Sequence, residues 1–281
     1  MENNQSFEVY QKRNYSVVEH NSLAQQQYIT KRSKGSSLTL AEEKALAYLV
    51  SRITPSMETI PPLEFNIKEY CSVCGLNADK YYSHLKGILS KLGGRFAWLR
   101  DSSGKEYGWP YFEEVMLDQG NGTGHVIINK KLETYFIRLS GNFLQFSLHN
   151  ILAMKTVHGI QLYKLLKSLY FKGKDIEFEL ELLKGHLDCI DKYPDIKDFK
   201  RRVINPALTD INKYSDLEVE AEYKKEGKKI THIVFHVFDL SRCLTPAEIE
   251  EATQRIRNTE RELDRNQMTF PEFDSIGDYP I

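Results

Sequence analysis

Apolar residues recur at spacings of three and four positions in the segment DIKDFKRRVINPALTDIN, residues 195–212. Residues at these spacings share one face of an α-helix, so the pattern predicts an amphipathic helix with one side against a core. Polar and basic residues face away from that side, among them two adjacent arginines. The predicted core-facing residues are Ile196, Phe199, Val203, Ala207, Leu208 and Ile211, and the outward-facing ones are Arg201, Arg202, Asn205, Thr209 and Asn212.

The next segment, LEVEAEYKKEGKKITHIVFHVF, alternates apolar and polar residues on both sides of Glu226-Gly227. A period of two predicts two strands, and the glycine predicts a hairpin turn between them. The outward arginines and amides of the preceding helix match the hydrogen-bonding edges of guanine and adenine in a major groove. Such a helix followed by a basic hairpin predicts a winged helix, a variant of the helix-turn-helix. The lysines that flank the turn are Lys224, Lys225, Lys228 and Lys229.

The same order of elements is predicted twice along the chain: helix, strand, short helix, longer helix and hairpin. The first cycle begins near residue 40 and the second near residue 150. The repeated order predicts an α+β fold with two tandem winged-helix domains that form a pseudo-repeat, followed by a C-terminal charged helix and tail. The predicted parts are a disordered arm (1–14), a first winged-helix domain (15–150), a second winged-helix domain (151–243) and an acidic, helical or disordered tail (244–281).

Local patterns add further expectations. Thr39, with Glu42 three residues later, predicts the capped start of the first helix. Residues 17–28 predict a short helix, 143–152 a helical connector and 149–171 one long helix. The segment GWPYFEEVMLD predicts one continuous strand.

Composition limits the classes of protein that the chain can represent. The hydrophobic fraction of 41% and the charged fraction of 27% are ordinary for globular proteins. No apolar run of about 18 residues predicts a membrane span, and no apolar N-terminal segment predicts a secretory signal, so the cytoplasm is expected. The net charge is −1. Residues 245–281 hold nine acidic residues and four arginines, or −5, which leaves +4 for residues 1–244 and favours nucleic-acid contact there.

The candidate chemical motifs are weak. Cys71 and Cys74 have CxxC spacing, but no second pair or HxxxH motif completes four zinc ligands, so two ordinary helix cysteines are favoured over a metal or redox pair. His232 and His236 share a strand face four residues apart, which does not fit the closely spaced histidines of a nicking enzyme. Motifs for ATP hydrolysis, serine hydrolysis and zinc proteolysis are missing from the sequence. The sequence therefore predicts a protein that is not an enzyme and needs no metal or cofactor.

Residues 199–240 resemble the theta-type plasmid replication initiators, the Rep proteins that bind iterons. The matching features are P-A-L-x-x-I-N at the end of the helix, the S-D-L-x-V-E strand, the basic turn with its glycine, and the returning I-x-H-I-x-F-x-V strand. Upstream, GIQLYKLL at 159–166 is similar to the opening helix of that family's second winged domain. The first half matches more loosely, through the order of its elements and the LTLAEEKAL helix, and the tail beyond about residue 243 lies outside the resemblance.

The resemblance implies specific binding to directly repeated iterons in double-stranded DNA, with repression of the protein's own promoter when it binds an operator as a dimer. It also implies a homodimer in equilibrium with the monomer, and contacts with host initiation factors and helicase. In the second domain, the resemblance points to Lys197, Lys200, Arg201, Arg202 and Asn205 as DNA contacts. In the first, it points to Lys80, Tyr81, Ser83, His84 and Lys86 in the helix at 77–92, mainly on phosphates.

Several alternatives remain open from the sequence. A winged-helix transcriptional repressor without replication activity needs the same residues, and a rolling-circle nicking enzyme is a third class. Arg201 and Arg202 also fit a solvated helix face paired with Asp198 or Asp195. Pro206 lacks a backbone N–H, so it is expected to kink the helix or begin a new turn, which would direct Thr209 and Asn212 away from DNA.

Overall fold

The computed structural model of the protein describes residues 15–25, 37–74, 81–101, 103–139, 141–170, 175–190 and 192–240. The predicted arm (1–14) and tail (244–281) lie outside these residues. The elements of the first half are β1 (Ser16–His20), α1 (Asn21–Gln25), α2 (Leu40–Val50), β2 (Leu63–Asn66), α3 (Ile67–Cys74), α4 (Tyr81–Gly93), β3 (Phe96–Arg100), β4 (Glu106–Pro110), β5 (Phe112–Asp118), β6 (Thr123–Ile128), a 3-10 turn (Lys130–Tyr135), β7 (Phe143–Ser147) and α5 (Leu148–Ala153). Those of the second half are α6 (Val157–Leu169), β8 (Asp175–Glu179), α7 (Leu180–His186), α8 (Ile196–Phe199), a π-helical turn (Lys200–Ile204), α9 (Asn205–Tyr214), β9 (Leu217–Glu226) and β10 (Lys229–Asp239).

Two antiparallel sheets of three strands have the same topology. The first has the order β2-β6-β5 and the second the order β8-β10-β9, so in each sheet the strand that comes last in the chain lies in the middle. In each, a strand leads through two helical elements into a hairpin. The predicted α+β fold of two winged-helix modules is therefore confirmed. The predicted N-cap is also confirmed, because Thr39 and Glu42 form a reciprocal capping box at the start of α2.

The first module carries additional strands. β1 pairs antiparallel with β7, from Ser16 opposite Ser147 to His20 opposite Phe143, and Gln145 Nε2 donates to Ser16 Oγ at 2.8 Å. The predictions of a helix beginning at residue 17 and of a helical connector beginning at residue 143 are therefore wrong for these strands. The pairing joins residues that are 129 positions apart in the chain, which local patterns do not reveal.

Two other predicted elements are each divided in two. The predicted helix at 149–171 is interrupted at residues 154–156, where the Asp210 carboxylate accepts hydrogen bonds from the backbone N–H groups of Lys155 and Thr156 and from the Thr156 hydroxyl. These bonds hold the backbone in an extended form and leave Thr156 as the N-cap of α6. The predicted strand GWPYFEEVMLD is divided at Tyr111, whose backbone bonds to Arg95 and Asn129 instead of continuing one ladder.

α6 joins the cores of the two modules. Ile160, Leu162, Leu165 and Leu166 point in different directions around this helix, yet none is exposed, so α6 is buried on most sides. On one side Lys164 Nζ lies 2.9 Å from Glu19 of β1 and 3.7 Å from Glu43 of α2.

Asp216, which also contacts α6, fixes the start of the second hairpin. Its carboxylate accepts hydrogen bonds from Tyr163 Oη at 2.7 Å and from Asn150 Nδ2 at 3.3 Å, and it forms an ion pair with Lys167. Buried polar groups stabilise a fold only when they are paired in this way. Among the described residues, no helix is long and apolar enough to cross a membrane.

Candidate nucleic-acid interface

The predicted reading helix is present, but it is not a regular α-helix. We call the run of α8, the π-helical turn and α9 the composite helix (196–214). Asp195 caps its start by accepting from the Lys197 N–H at 2.9 Å. The π-helical turn ends immediately before Asn205 and Pro206, where α9 begins. Proline has no N–H and its ring crowds the carbonyl four residues earlier, so a wider turn ahead of Pro206 and a new helical start are its physical consequence.

The π-helical turn sets which residues face solvent. Phe199, Val203, Ala207 and Ile211 are fully buried at a constant spacing of four. Such a spacing drifts around a regular helix of 3.6 residues per turn, and the wider turn absorbs part of that drift. Three consecutive cations, Lys200, Arg201 and Arg202, are exposed as a result.

Asp198 pairs with both arginines. Arg201 Nη2 lies 2.6 Å and Arg202 Nε 3.6 Å from its Oδ1, and the arginine side chains remain 67% and 59% exposed. The hydrogen bond from Arg201 lowers the pKa of Asp198. Exposed ion pairs contribute at most about 1 kcal/mol. The ion pairs that the sequence allowed therefore exist, and a DNA phosphate or base edge can replace Asp198 at low cost.

Lys200 connects the composite helix to the wing. Its Nζ lies 3.9 Å from the ring centroid of Tyr223, a half-buried residue of β9. This distance is within the range of cation–π interactions. Burial also raises the pKa of Tyr223 to about 12. The contact between Tyr223 and Lys200 was not predicted from the sequence. The alternation of apolar and polar residues in β9 does place Tyr223 on the inward side of the strand.

The residues after Pro206 serve the fold. Asn212 Nδ2 donates to the Val219 carbonyl at 3.0 Å, and Asn212 Oδ1 accepts from the Val219 N–H at 2.8 Å, so this side chain fastens α9 to β9. The Thr209 hydroxyl donates to the carbonyl of Asn205 at 2.9 Å. Leaving Thr209 and Asn212 out of the contact set agrees with these bonds. The Asn205 residue itself is exposed, beside the arginines.

The four lysines of the wing do not share one face. Gly227 adopts the left-handed conformation at the hairpin tip (φ +62°), and Lys225, Lys228 and Lys229 are exposed around it. Strand alternation places Lys225 on the side of Tyr223 and Lys224 on the other side. Lys224 Nζ forms an ion pair with Glu177 of β8 at 2.7 Å. The structure thus separates Lys224 from the other wing lysines.

The outer face of the second sheet is acidic. Its carboxylates include those of Asp175, Glu177 and Glu222. His236 lies between two of them, with Nδ1 2.8 Å from Asp175 and Nε2 3.3 Å from Glu222. Hydrogen bonds to these carboxylates raise the pKa of His236, because both ring nitrogens donate only when the imidazole is protonated. This face repels a polyanion.

In the first module the corresponding helix is α4. Its core side holds Leu85, Leu89 and Leu92, and Ser83 and Lys86 are exposed on the opposite side. His84 is half-buried, and burial lowers its pKa, so it is neutral at pH 7. Lys80 and the side chain of Tyr81 lie outside the described part of the chain.

Cys71 and Cys74, the two cysteines with CxxC spacing, are both buried in α3. Burial raises the pKa of the Cys71 thiol to about 11, which keeps it protonated at neutral pH and unsuited to metal binding or nucleophilic attack. Within the described residues, no group of three histidine, cysteine or acidic side chains is arranged to hold a metal ion.

Two family models match the chain. Residues 16–167 match the model described as initiator replication protein, WH1, and residues 179–237 match the one described as initiator Rep protein, WH2. The chain belongs to the initiator replication protein family. The predicted resemblance to replication initiators is confirmed. The first family match ends at residue 167, near the end of α6 (Val157–Leu169), the helix that both cores of this initiator-family chain share.

Individual relatives of this initiator-family chain are distant. A replication initiation protein of Escherichia coli is 21% identical over 211 residues, which cover 71% of this chain and 65% of that protein. The chain thus spans slightly less than two thirds of that relative's length. The crystal structure of Pi initiator protein in complex with iteron DNA superimposes with a TM-score of 0.67, at 21% identity, over 81% of this chain and 98% of that one. This similarity supports the tandem winged-helix fold.

Proposed function

We propose that the protein is a plasmid replication initiator that binds repeated DNA sequences at an origin through its composite helix and basic wing. One observation carries the proposal. Lys200, Arg201 and Arg202 are exposed in succession on a helix whose opposite side is fully buried. The Pi initiator, which has the same fold, was crystallised with iteron DNA. Double-stranded iteron DNA is therefore the ligand we propose here.

The exposed side chains divide into two roles. Arg201, Arg202 and Asn205 have the forked or amide groups that read guanine and adenine edges. Cations without such geometry position the protein on phosphates, which supplies affinity and salt dependence but no sequence information. The cations proposed for phosphates are Lys197, Lys200, Lys225, Lys228 and Lys229 in the second module and Lys86 in the first, where the Ser83 hydroxyl is a further candidate.

The remaining parts of the proposal rest on membership of the family. The protein acts in the bacterial cytoplasm, without a catalytic step or a cofactor, and brings host initiation factors and helicase to the origin. A homodimer represses the protein's own promoter, and the monomer binds iterons. A replicon that carries only this gene and its neighbouring direct repeats tests the initiator role. Promoter repression without replication would instead identify a transcriptional repressor.

Arg201→Ala tests the DNA-reading site. We expect a loss of about 1–3 kcal/mol in binding to duplex DNA that contains the repeats, and a much smaller loss on scrambled duplex. Lys224→Ala is a control, because Lys224 is also an exposed cation in an ion pair, with Glu177 at 2.7 Å, but lies on the acidic face of the second sheet. Fluorescence anisotropy measures both affinities. Equal losses on the two duplexes for Arg201→Ala contradict a base-reading role.

A further inference from the structure

The β3–β4 hairpin is an insertion in the first module. It lies between α4 and β5, the helix and strand that correspond to α9 and β9. In the second module, α9 ends at Tyr214 and β9 begins at Leu217, so two residues, Ser215 and Asp216, connect them. The winged-helix fold therefore forms without this hairpin. Among the strands that the structure describes, β3 and β4 pair with each other and with no third strand.

One face of the hairpin exposes large aromatic side chains. Ala97 and Leu99 turn into the core, so strand alternation directs Phe96 and Trp98 outward, where they are 48% and 46% exposed. Their cross-strand neighbours are Pro110 and Gly108. Large aromatic side chains usually stabilise a fold by packing into its core. These two rings face solvent instead, and exposed apolar side chains that lie together mark binding sites.

Gly108 lets the Trp98 ring lie flat. A Cβ atom at Gly108 would come within 3.0 Å of three atoms of the indole ring, so any side chain there would displace it. The Phe96 and Trp98 ring centroids are 6.3 Å apart, with 34° between the ring planes. Arg100 continues the same row, opposite Glu106. The hairpin thus presents two rings and a guanidinium at strand spacing.

The surroundings of this row favour a polyanion. Residues 91–106 contain four basic residues, Lys91, Arg95, Arg100 and Lys105, and two acidic ones, a net charge of +2. Arg95 is paired with Glu42 of α2 at 3.3 Å and Arg100 with Glu106 at 2.5 Å, so the excess positive charge beside the row comes from Lys91 and Lys105. The Asp101 carboxylate is engaged in the loop, where it accepts from Ser103 Oγ at 2.7 Å and from Tyr107 Oη at 3.1 Å.

We propose that Phe96, Trp98 and Arg100 form a binding site for single-stranded DNA. Two neighbouring unstacked bases lie on the two rings, and the Arg100 guanidinium exchanges its exposed ion pair with Glu106 for a contact with a phosphate. Stacking of a base on an aromatic side chain contributes about 1–3 kcal/mol and requires a base that is not already stacked in a duplex. The ring spacing and the positive charge favour this ligand over an apolar protein partner. The site goes beyond the proposed function, which concerns duplex DNA and other residues.

The test uses the full chain and a fluorescein-labelled 20-residue oligothymidylate. We expect wild-type protein to bind it and its tryptophan emission to be quenched, since Trp98 is one of only two tryptophans. Trp98→Ala and Phe96→Ala should each weaken binding at least fivefold. Trp98→Phe should retain most of the affinity but lose most of the quenching. Gly108→Val should weaken binding by displacing the indole ring.

The controls separate this site from the duplex site and from folding. Phe143→Ala removes a phenylalanine that is 43% exposed on β7, another two-stranded sheet, and should leave oligothymidylate binding unchanged. Circular dichroism melts show whether each variant folds, and duplex binding should be unaffected in Trp98→Ala. Failure of the wild type to bind, or equal binding by both alanine variants, overturns the proposal. If the wild type forms a dimer that Trp98→Ala dissociates, and neither protein binds oligothymidylate, the proposal is overturned. The aromatic face would then be an interface between two copies of the chain.

Discussion

Replacing Tyr223 by phenylalanine or by leucine separates two properties of this side chain. Its hydroxyl oxygen is shielded from solvent, and among the described residues nothing forms a hydrogen bond with it. Leaving a buried polar group unsatisfied costs about 1–3 kcal/mol. Tyr223→Phe removes that group and keeps the ring 3.9 Å from Lys200. We expect the free energy of unfolding to rise by about 1 kcal/mol, less than the full range because the residue is only half-buried.

Tyr223→Leu removes the ring that holds Lys200. The ring holds Lys200 in place before DNA binds, so without it binding must restrict a free lysine side chain, at a cost of about 0.5–1.5 kcal/mol. Affinity for duplex DNA should therefore fall about 2- to 12-fold. Tyr223→Phe should leave that affinity unchanged. Urea unfolding gives the stability of each variant, and fluorescence anisotropy gives its affinity for DNA at one fixed salt concentration.

A double-mutant cycle with Lys200→Met decides whether the two side chains act together. If the ring positions Lys200, adding Tyr223→Leu to Lys200→Met should cost little further affinity. Full additivity of the two losses would refute the coupling. Equal loss of DNA binding in Tyr223→Phe and Tyr223→Leu would refute the role of the ring and assign the effect to the hydroxyl.

Four further outcomes are expected. Asp210→Ala should lower the free energy of unfolding by about 2–4 kcal/mol in urea, because three donors at the start of α6 lose their buried acceptor; a change below about 1 kcal/mol contradicts this. Lys228→Ala should reduce the slope of log affinity against log salt by about 1 on all duplexes, where an unchanged slope argues against phosphate contact. The pKa of His236 is raised above 6.5, so its contribution to stability is complete below that pH and declines as the pH rises through the folded-state value; His236→Gln should flatten this dependence in pH-resolved thermal melts, and an unaltered profile excludes it. Incubation with supercoiled plasmid and Mg²⁺ or Mn²⁺ should leave the plasmid supercoiled, and a covalent tyrosyl-DNA product would show that the protein is a nicking enzyme.

Local patterns predict the second module well because its signals lie close together in the chain. The spacing of apolar residues locates the composite helix, and Gly227 locates the tip of the wing. Pro206 indicates a new helical turn, but the π-helical form depends on how Phe199 and Val203 pack in the folded core. Strand alternation places Lys224 and Lys225 on opposite faces of the wing. The prediction of four lysines acting together around the turn did not take this alternation into account.

Long-range contacts account for the incorrect predictions. The strand character of Ser16–His20 comes from pairing with Phe143–Ser147, since neither segment has its partner nearby in sequence. The break between α5 and α6 comes from Asp210, more than fifty residues downstream. Sequence patterns report the propensity of each segment, whereas these features depend on which distant groups meet in the folded chain.

The position of α6 bears on how the protein unfolds. Separating the two winged helices would expose the leucines of this helix and remove Lys164 from both of its carboxylate partners. Neither module can melt early without taking part of the other's core with it, so calorimetry should show one cooperative transition in place of two. A truncation at either end of α6 leaves a fragment with an exposed apolar surface where the helix or its partner was removed. The protein therefore behaves in folding as one body, although its topology is that of two.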